Sequence, residues 1–368
     1  MKAAVLEAND TLVYKDVPDP APFGERPVLV QVGSVGVCGS DVLRFAHHTA
    51  YHYPLILGHE FSAVVETAPE GSPFAPGDRA AVFPLLPRCD DPLTGVGEWA
   101  LSEGYDYFGS RRDGAMAERL WVPEANLVAV PATMPLAHAA MVEPAAVALH
   151  AVQKLRVPSA GSVVVLGAGP IGALAAQWLR ILGWTRVLVA DVDPRKLDVM
   201  AELGFEVIDA AAQDAVAAVR GRTDGRGVDA AVEATGFPSA FLQCLDVAAP
   251  QGQVLVLGDL KADVTIPRAS ISSFIRRELV IIGTWNSRIT PSGRSEWDMV
   301  VEHIARGTLA VAPLISHLRG LEEAPQLMAD IAGKRLWSNK VVFAVSAEAR
   351  GELRDASSDA PSTVGAGR

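Results

Sequence analysis

Cysteine is scarce in this chain, three among 368 residues. That excludes a disulfide framework and a compact four-thiolate metal knot. Such sparing use fits a reducing compartment, and a cytoplasmic location is expected. Positive charge is short as well: 32 Lys and Arg stand against 43 Asp and Glu, a net −11. Nucleic acid and anionic membrane surfaces need a basic face, so neither is expected as a partner. No apolar run approaches the ~20 residues of a membrane span. Met1 leads straight into "KAAVLEAND", without the apolar core of a secretory leader, and none is expected. Internal repeats are missing too. From Ala347 onward, "AEARGELRDASSDAPSTVGAGR" holds mostly small and polar residues with little to bury, and 347–368 reads as a disordered tail. What remains is globular in composition, 49% apolar and 20% charged, and long enough for two domains.

Two textures divide that length. Residues 1–149 are β-rich: "KAAVLE", "PVLVQVGSVGVC", "FSAVVETA" and "DRAAVFPLL" are short apolar or alternating runs broken by Gly, Pro and Asp. Over 150–286 short strands alternate with helical periods. "SVVVLGAGPIGALAAQWLRILGW" reads as strand, glycine turn and helix, followed by "RVLVADVD", "VDAAVEATG", "QVLVLGD" and "LVIIGTW". Such alternation predicts a doubly wound parallel sheet. Residues 287–346 return to a mixed pattern, through the helical "SEWDMVVEHIARG" to the strand "SNKVVFAV".

The glycine turn points to a dinucleotide. Gly167, Gly169 and Gly172 have the G-x-G-x-x-G spacing, after a strand and at the opening of a helix. Gly167 permits the tight turn, Gly169 the approach of a pyrophosphate, Gly172 close packing of helix on sheet. Pro170 and Ile171 begin the helix, whose free N–H groups favour anions. Asp191 ends the next strand, about 20 residues on, where a carboxylate receives ribose hydroxyls and repels a 2′-phosphate. NAD is therefore expected, with Arg195 and Lys196 close enough to soften the preference. The competing reading is a glycine turn with an incidental Asp.

A second group is metal-like. Cys38, His59, Glu60 and Glu143 offer a thiolate, an imidazole and carboxylates, a sensible donor set for zinc. They lie far apart in sequence, as donors of catalytic sites drawn from several strands and loops often do. Spacing alone leaves two readings open: a metal site, or a satisfied buried His59 beside a helix-start Glu143.

The segments "GVCGSD", "YPLILGHEFSAVV", "GDRAAVFPLLP", "DGAMAERLWVPEANLVAVP", "EPAAVALHA" and "VLGAGPIG" occur in this order. Together they resemble the zinc-dependent medium-chain dehydrogenase/reductase family, over residues 1–346, and within it the polyol and sugar-alcohol branch. The resemblance implies a GroES-like catalytic domain, 1–149 with 287–346, split around a Rossmann domain, 150–286. It implies hydride transfer between a secondary alcohol and NAD. Cys38 and His59 match zinc ligands, Glu60 and Glu143 the carboxylates at or behind the metal, and Ser40 the hydroxyl that takes the substrate proton. It also implies a homodimer or homotetramer built through the edge strand "LVIIGTW".

This chain departs from the family in two places. Many relatives hold a second, structural zinc with four cysteines. Here Arg88, Asp91, Thr94 and Ser102 occupy those positions beside a lone Cys89, so one catalytic zinc and no structural zinc is expected. Many relatives also carry a relay histidine where Leu43 stands, and His52 is the best substitute among the nearby histidines. For substrate, Arg111 and Arg112 either bind a phosphate or pair with Asp113, and Trp285 with Asn286 either touch substrate or pack between domains. A polyol, a sugar phosphate or an aminocyclitol suits the branch. Two other functions compete: a metal-free, NADPH-dependent enone or quinone reductase of the same superfamily, and a non-enzymatic cofactor-bound scaffold.

Overall fold

Short apolar runs, too short for helices and bounded by Gly, Pro or Asp, become the strands of four sheets among the described residues, two of them large. The computed structural model describes residues 1–88, 90–156, 161–289 and 295–358. They pack as two compact units: 1–86, 105–141 and 315 onward in the first, 87–104 and 142–314 in the second.

In the first unit, a seven-stranded sheet runs in the order Leu127–Ala129, Arg79–Val82, Glu60–Thr67, Pro27–Gly36, Lys340–Ala344, Ile315–Gly320, with Arg119–Pro123 also on Pro27–Gly36. Its central strand pairs antiparallel with Glu60–Thr67 and with Lys340–Ala344. The chain's late return is thereby stitched into the middle of its beginning. Alternate residues Val28, Val30 and Val32 of the central strand are fully buried in one core.

The second unit contains a six-stranded sheet, every pairing parallel, in the order Glu206–Asp209, Arg186–Asp191, Ser162–Leu166, Val228–Glu233, Ala248–Val256, Val280–Gly283. Helix Pro170–Ile181 packs against helix Val142–Val152, and the Trp178 Nε1–H donates to the Ala145 carbonyl at 2.9 Å. Val280–Gly283 is an edge strand, with Val280 and Ile281 exposed. None of the described helices is long and apolar enough to cross a membrane.

One expectation fails at the C-terminus. Residues 347–358, read as disordered, form the helix Ala347–Ser358. Ala349 is buried beside Leu136 and Ala344, Arg79 pairs with Glu348, and the Glu352 carboxylate accepts the Leu136 N–H at 2.9 Å. Composition gave little reason to fold, but three anchors elsewhere in the first unit supply it. The rest of the expected tail, 359–368, lies outside the described residues.

Candidate functional site

The central strand of the first unit ends at Gly36, and helix Gly39–Ala46 begins three residues later with Cys38 as its cap. Glu60 opens the neighbouring strand opposite Gly36, and His59 immediately precedes it. This register gathers donors far apart in sequence: ligand atoms of Cys38, His59 and Glu60 all lie within 4.8 Å of one another. Asp41, fully buried one turn into the helix, accepts the Cys38 backbone N–H at 3.0 Å and faces His59 Nδ1 at 3.4 Å. A carboxylate on one ring nitrogen fixes the ring and leaves the other nitrogen for a metal ion. Burial alone would push the His59 pKa down. The charges of Asp41 and then Cys38 beside it outweigh that and hold it well above its ordinary value of 6.5. Burial would likewise raise Asp41, but His59 and then Arg44 bring it below the usual carboxylate value. A thiolate, an oriented imidazole and a carboxylate at this spacing fit a zinc ion.

Glu60 has a further partner. Lys340, 2% exposed, forms an ion pair with its Oε2 and donates to the Val37 carbonyl at 3.0 Å. Gly36 makes room between them: a Cβ there would come within 2.5 Å of the Glu60 carboxylate and 3.1 Å of the Lys340 stem. Glu143, the remaining metal candidate, is buried in the first turn of helix Val142–Val152, in the second unit.

Ser40, half-buried in the helix's first turn, accepts a hydrogen bond from Arg44 at 2.8 Å. His52 is exposed, and both ring nitrogens face backbone carbonyls, Nδ1 that of Pro54 at 3.0 Å and Nε2 that of Arg111 at 3.3 Å. A neutral ring carries one N–H and so donates to one of the two carbonyls. Arg111 lies over the rings of Tyr51 and Tyr105 and donates to the Tyr105 carbonyl. Arg112 pairs with Asp106 at 3.1 Å and covers the Phe23 ring at 3.7 Å. Both arginines are engaged inside the first unit, neither with Asp113, whose carboxylate accepts the Ile56 N–H.

In the second unit the glycine turn has the expected form. Gly167 adopts φ +106°, a left-handed conformation that favours glycine, and a Cβ there would meet Thr235 at 2.8 Å. A Cβ on Gly172 would collide with the Gly167 carbonyl oxygen. A Cβ on Gly169 would meet nothing within 4 Å, so this glycine keeps a space open at the helix N-terminus rather than serving packing. Pro170 occupies the first turn, where no intrahelical N–H is required, and Ile171 follows it. Asp191 accepts the N–H groups of Ala168 at 2.6 Å and Asp193 at 2.9 Å, binding the strand end to the turn. Open space, free helix N–H groups and an adjacent carboxylate suit a dinucleotide. Arg195 forms a two-point ion pair with Asp193, at 3.0 Å through both Nε and Nη2.

Also in this unit, a cavity of 330 Å³ is lined by Trp99, His150, Lys154, Trp285 and Arg288, among others. Trp285 is 55% exposed, and Asn286, at φ +55°, accepts the Ser287 N–H with its own side chain. Segment 87–104 is bridged by Asp91, whose carboxylate accepts Leu93 N–H at 2.8 Å and Glu103 N–H at 2.9 Å. Cys89 lies outside the described residues.

The sequence reading passed over Lys340 and Arg44 and gave Asp41 no role. The signals were faint: one cation in the apolar strand "KVVFAV", and polar residues on a short helix.

Known proteins supply the remaining context. A model of the alcohol dehydrogenase GroES-like domain matches residues 24–132, and one of the zinc-binding dehydrogenase domain matches 170–306. Galactitol 1-phosphate 5-dehydrogenase of Escherichia coli K12 is 31% identical over 337 residues, 90% of this chain and 96% of that protein. The E. coli galactitol-1-phosphate dehydrogenase crystal structure superposes with a TM-score of 0.87 at 30% identity, over 94% of this chain and all of that one. D-xylulose reductase A of Aspergillus oryzae is 28% identical, over 90% of this chain and 93% of its own. A Sinorhizobium meliloti structure bound to NADP gives a TM-score of 0.85 at 28% identity, over 93% of this chain and 98% of that one. The resemblance read from the sequence therefore holds, and the chain belongs to the zinc-binding dehydrogenase family, as an oxidoreductase of the zinc-type alcohol dehydrogenase kind.

Proposed function

We propose that this protein transfers a hydride between NAD and a secondary alcohol of a polyhydroxylated small molecule: a sugar alcohol, a sugar phosphate or an aminocyclitol. The donor cluster of Cys38, His59 and Glu60 carries the reading. It supplies what zinc needs, and the family resemblance adds Glu143 to the set. A zinc ion held there supplies Lewis acidity to an alcohol or carbonyl oxygen, and the nicotinamide exchanges the hydride. Ser40 exchanges the proton with the substrate oxygen. His52, the candidate for the onward relay, faces the Pro54 and Arg111 carbonyls. The names of the relatives, galactitol 1-phosphate 5-dehydrogenase and D-xylulose reductase, support a polyol or its phosphate.

Gly167, Gly169 and Gly172 receive the dinucleotide, with Pro170 and Ile171 at the helix start. Asp191 favours NAD over NADP by repelling a 2′-phosphate, and Asp193 draws the Arg195 cation to itself. One zinc per chain is supported by the donor types in segment 87–104, where Asp91 bonds to backbone N–H groups. Pairing across Val280–Gly283 would assemble a homodimer or homotetramer, since this edge exposes Val280 and Ile281.

The test is a metal analysis joined to a substrate screen. Zinc near one equivalent is expected, with reduced-cofactor absorbance rising on NAD and free polyols, their phosphates or aminocyclitols, and both lost in Cys38→Ser. Protein without zinc that reduces enones with NADPH would establish the competing metal-free reductase.

A further inference from the structure

Arg44 stands one helical turn beyond Ser40, on the same face of helix Gly39–Ala46. Its Nη1 donates to Ser40 Oγ at 2.8 Å and its Nη2 to Ser110 Oγ at 2.9 Å. The side chain is 15% exposed and lies 3.6 Å from Asp41 Oδ1. Its Nε is buried without an acceptor. Ser110 is itself buried, so the fork is held from both sides.

A guanidinium has only donors. Ser40 Oγ must therefore accept from Arg44, and its own O–H must point elsewhere. A cation against Oγ also stabilises negative charge there, the more so away from water. Arg44 cannot receive a proton as a histidine would, so its effect passes through Ser40.

We propose that Arg44 is a positioning residue for Ser40: it fixes the hydroxyl's direction and lowers the cost of charge developing on Oγ during proton transfer. The proposal rests on the reading that Ser40 exchanges a proton with substrate. In reduction, the carbonyl carbon takes the hydride from reduced nicotinamide, its oxygen takes the Ser40 hydroxyl proton, and Ser40 takes a replacement from water. Oxidation is the reverse. Because both directions share one transition state, Arg44 serves both equally.

The experiment compares wild type, Ser40→Ala, Arg44→Gln, Arg44→Lys and the double variant Ser40→Ala/Arg44→Gln. Arg44→Gln should lower kcat roughly tenfold in both directions with KM little changed, a part of the ~100-fold or more that acid–base groups contribute. It should also enlarge the solvent deuterium isotope effect, with partial recovery in Arg44→Lys. In the double variant the arginine change should add nothing to the serine change. A crystal structure of zinc-free Arg44→Gln should show the Ser40 side chain turned or in several rotamers, a readout independent of turnover.

If Ser40→Ala keeps full activity, the reading of Ser40 fails and the proposal falls with it. If Ser40→Ala is impaired but Arg44→Gln matches wild type in kcat and isotope effect, the proposal alone is overturned. An equal arginine effect with and without Ser40, or a rise in KM confined to phosphorylated substrates, also overturns it. Should Arg44→Gln fail to fold, Arg44→Lys decides: unchanged kcat, isotope effect and Ser40 rotamer in it would refute the role.

Discussion

Replacing Lys340 by Met should destabilise the first unit by about 3–5 kcal/mol, the usual consequence of removing one partner of a buried ion pair. Lys340 and Glu60 are each 2% exposed, so water does not reach in to replace the lost ammonium. The Val37 carbonyl loses its donor in the same step. Methionine keeps most of the lysine stem's volume, so little of the effect comes from a cavity. The value is large beside a total stability of about 5–15 kcal/mol. The cause is the stranded Glu60 carboxylate, so taking that charge away should reverse it. Glu60→Leu with Lys340→Met should lie within about 2 kcal/mol of wild type, since an apolar pair of similar volume replaces the ionic one without its desolvation cost.

Urea unfolding of protein freed of metal by a chelator measures this without the contribution of metal binding. Hydrogen exchange should place the loss in strands Glu60–Thr67 and Lys340–Ala344. Adding zinc should shrink the loss, because the ion offers Glu60 another positive charge. A Lys340→Met protein within about 1 kcal/mol of wild type, or a double variant no better than the worse single one, would refute the argument from stranded charge.

Four further outcomes follow from the second unit. Gly172→Ala should lose about 1–3 kcal/mol by forcing a Cβ onto the Gly167 carbonyl. Gly169→Ala should unfold as wild type does yet bind dinucleotide at least tenfold more weakly, read by calorimetry; equal losses of stability in the two would show that the open space is not a ligand's. Asp191→Ala should cut the kcat/KM preference for NAD over NADP at least tenfold, and an unchanged ratio would place the discriminating group elsewhere. Ile281→Arg on the exposed edge strand should shift the mass in light scattering towards monomer, whereas an unaltered assembly would move the interface off this edge.

The dinucleotide-binding sheet was legible because everything it needs is local: apolar strand, glycine turn and helix follow one another in "VVVLGAGPIGALAA", and Asp191 ends the very next strand. The donors Cys38, His59 and Glu60 were legible as residue types, but spacing could not show that they meet. Their meeting depends on Glu60 lying opposite Gly36, a matter of strand register. The tail was misread because composition reports what a segment can bury by itself, and Ala347–Ser358 is held by Arg79 and Leu136 from elsewhere. Lys340 is the sharpest case. A lysine opening a strand whose every residue is buried demands an anion, since lysine is almost never fully buried unpaired. The demand was readable, but its partner was not: 43 acidic residues were available. Only the register settles it, with Gly36 between the strands of Glu60 and Lys340 and no side chain to keep the two apart. A Cβ at Gly36 would crowd the Glu60 carboxylate and the Lys340 stem, so a glycine that looks like strand punctuation in the sequence is what leaves room for this pair beside the candidate metal site.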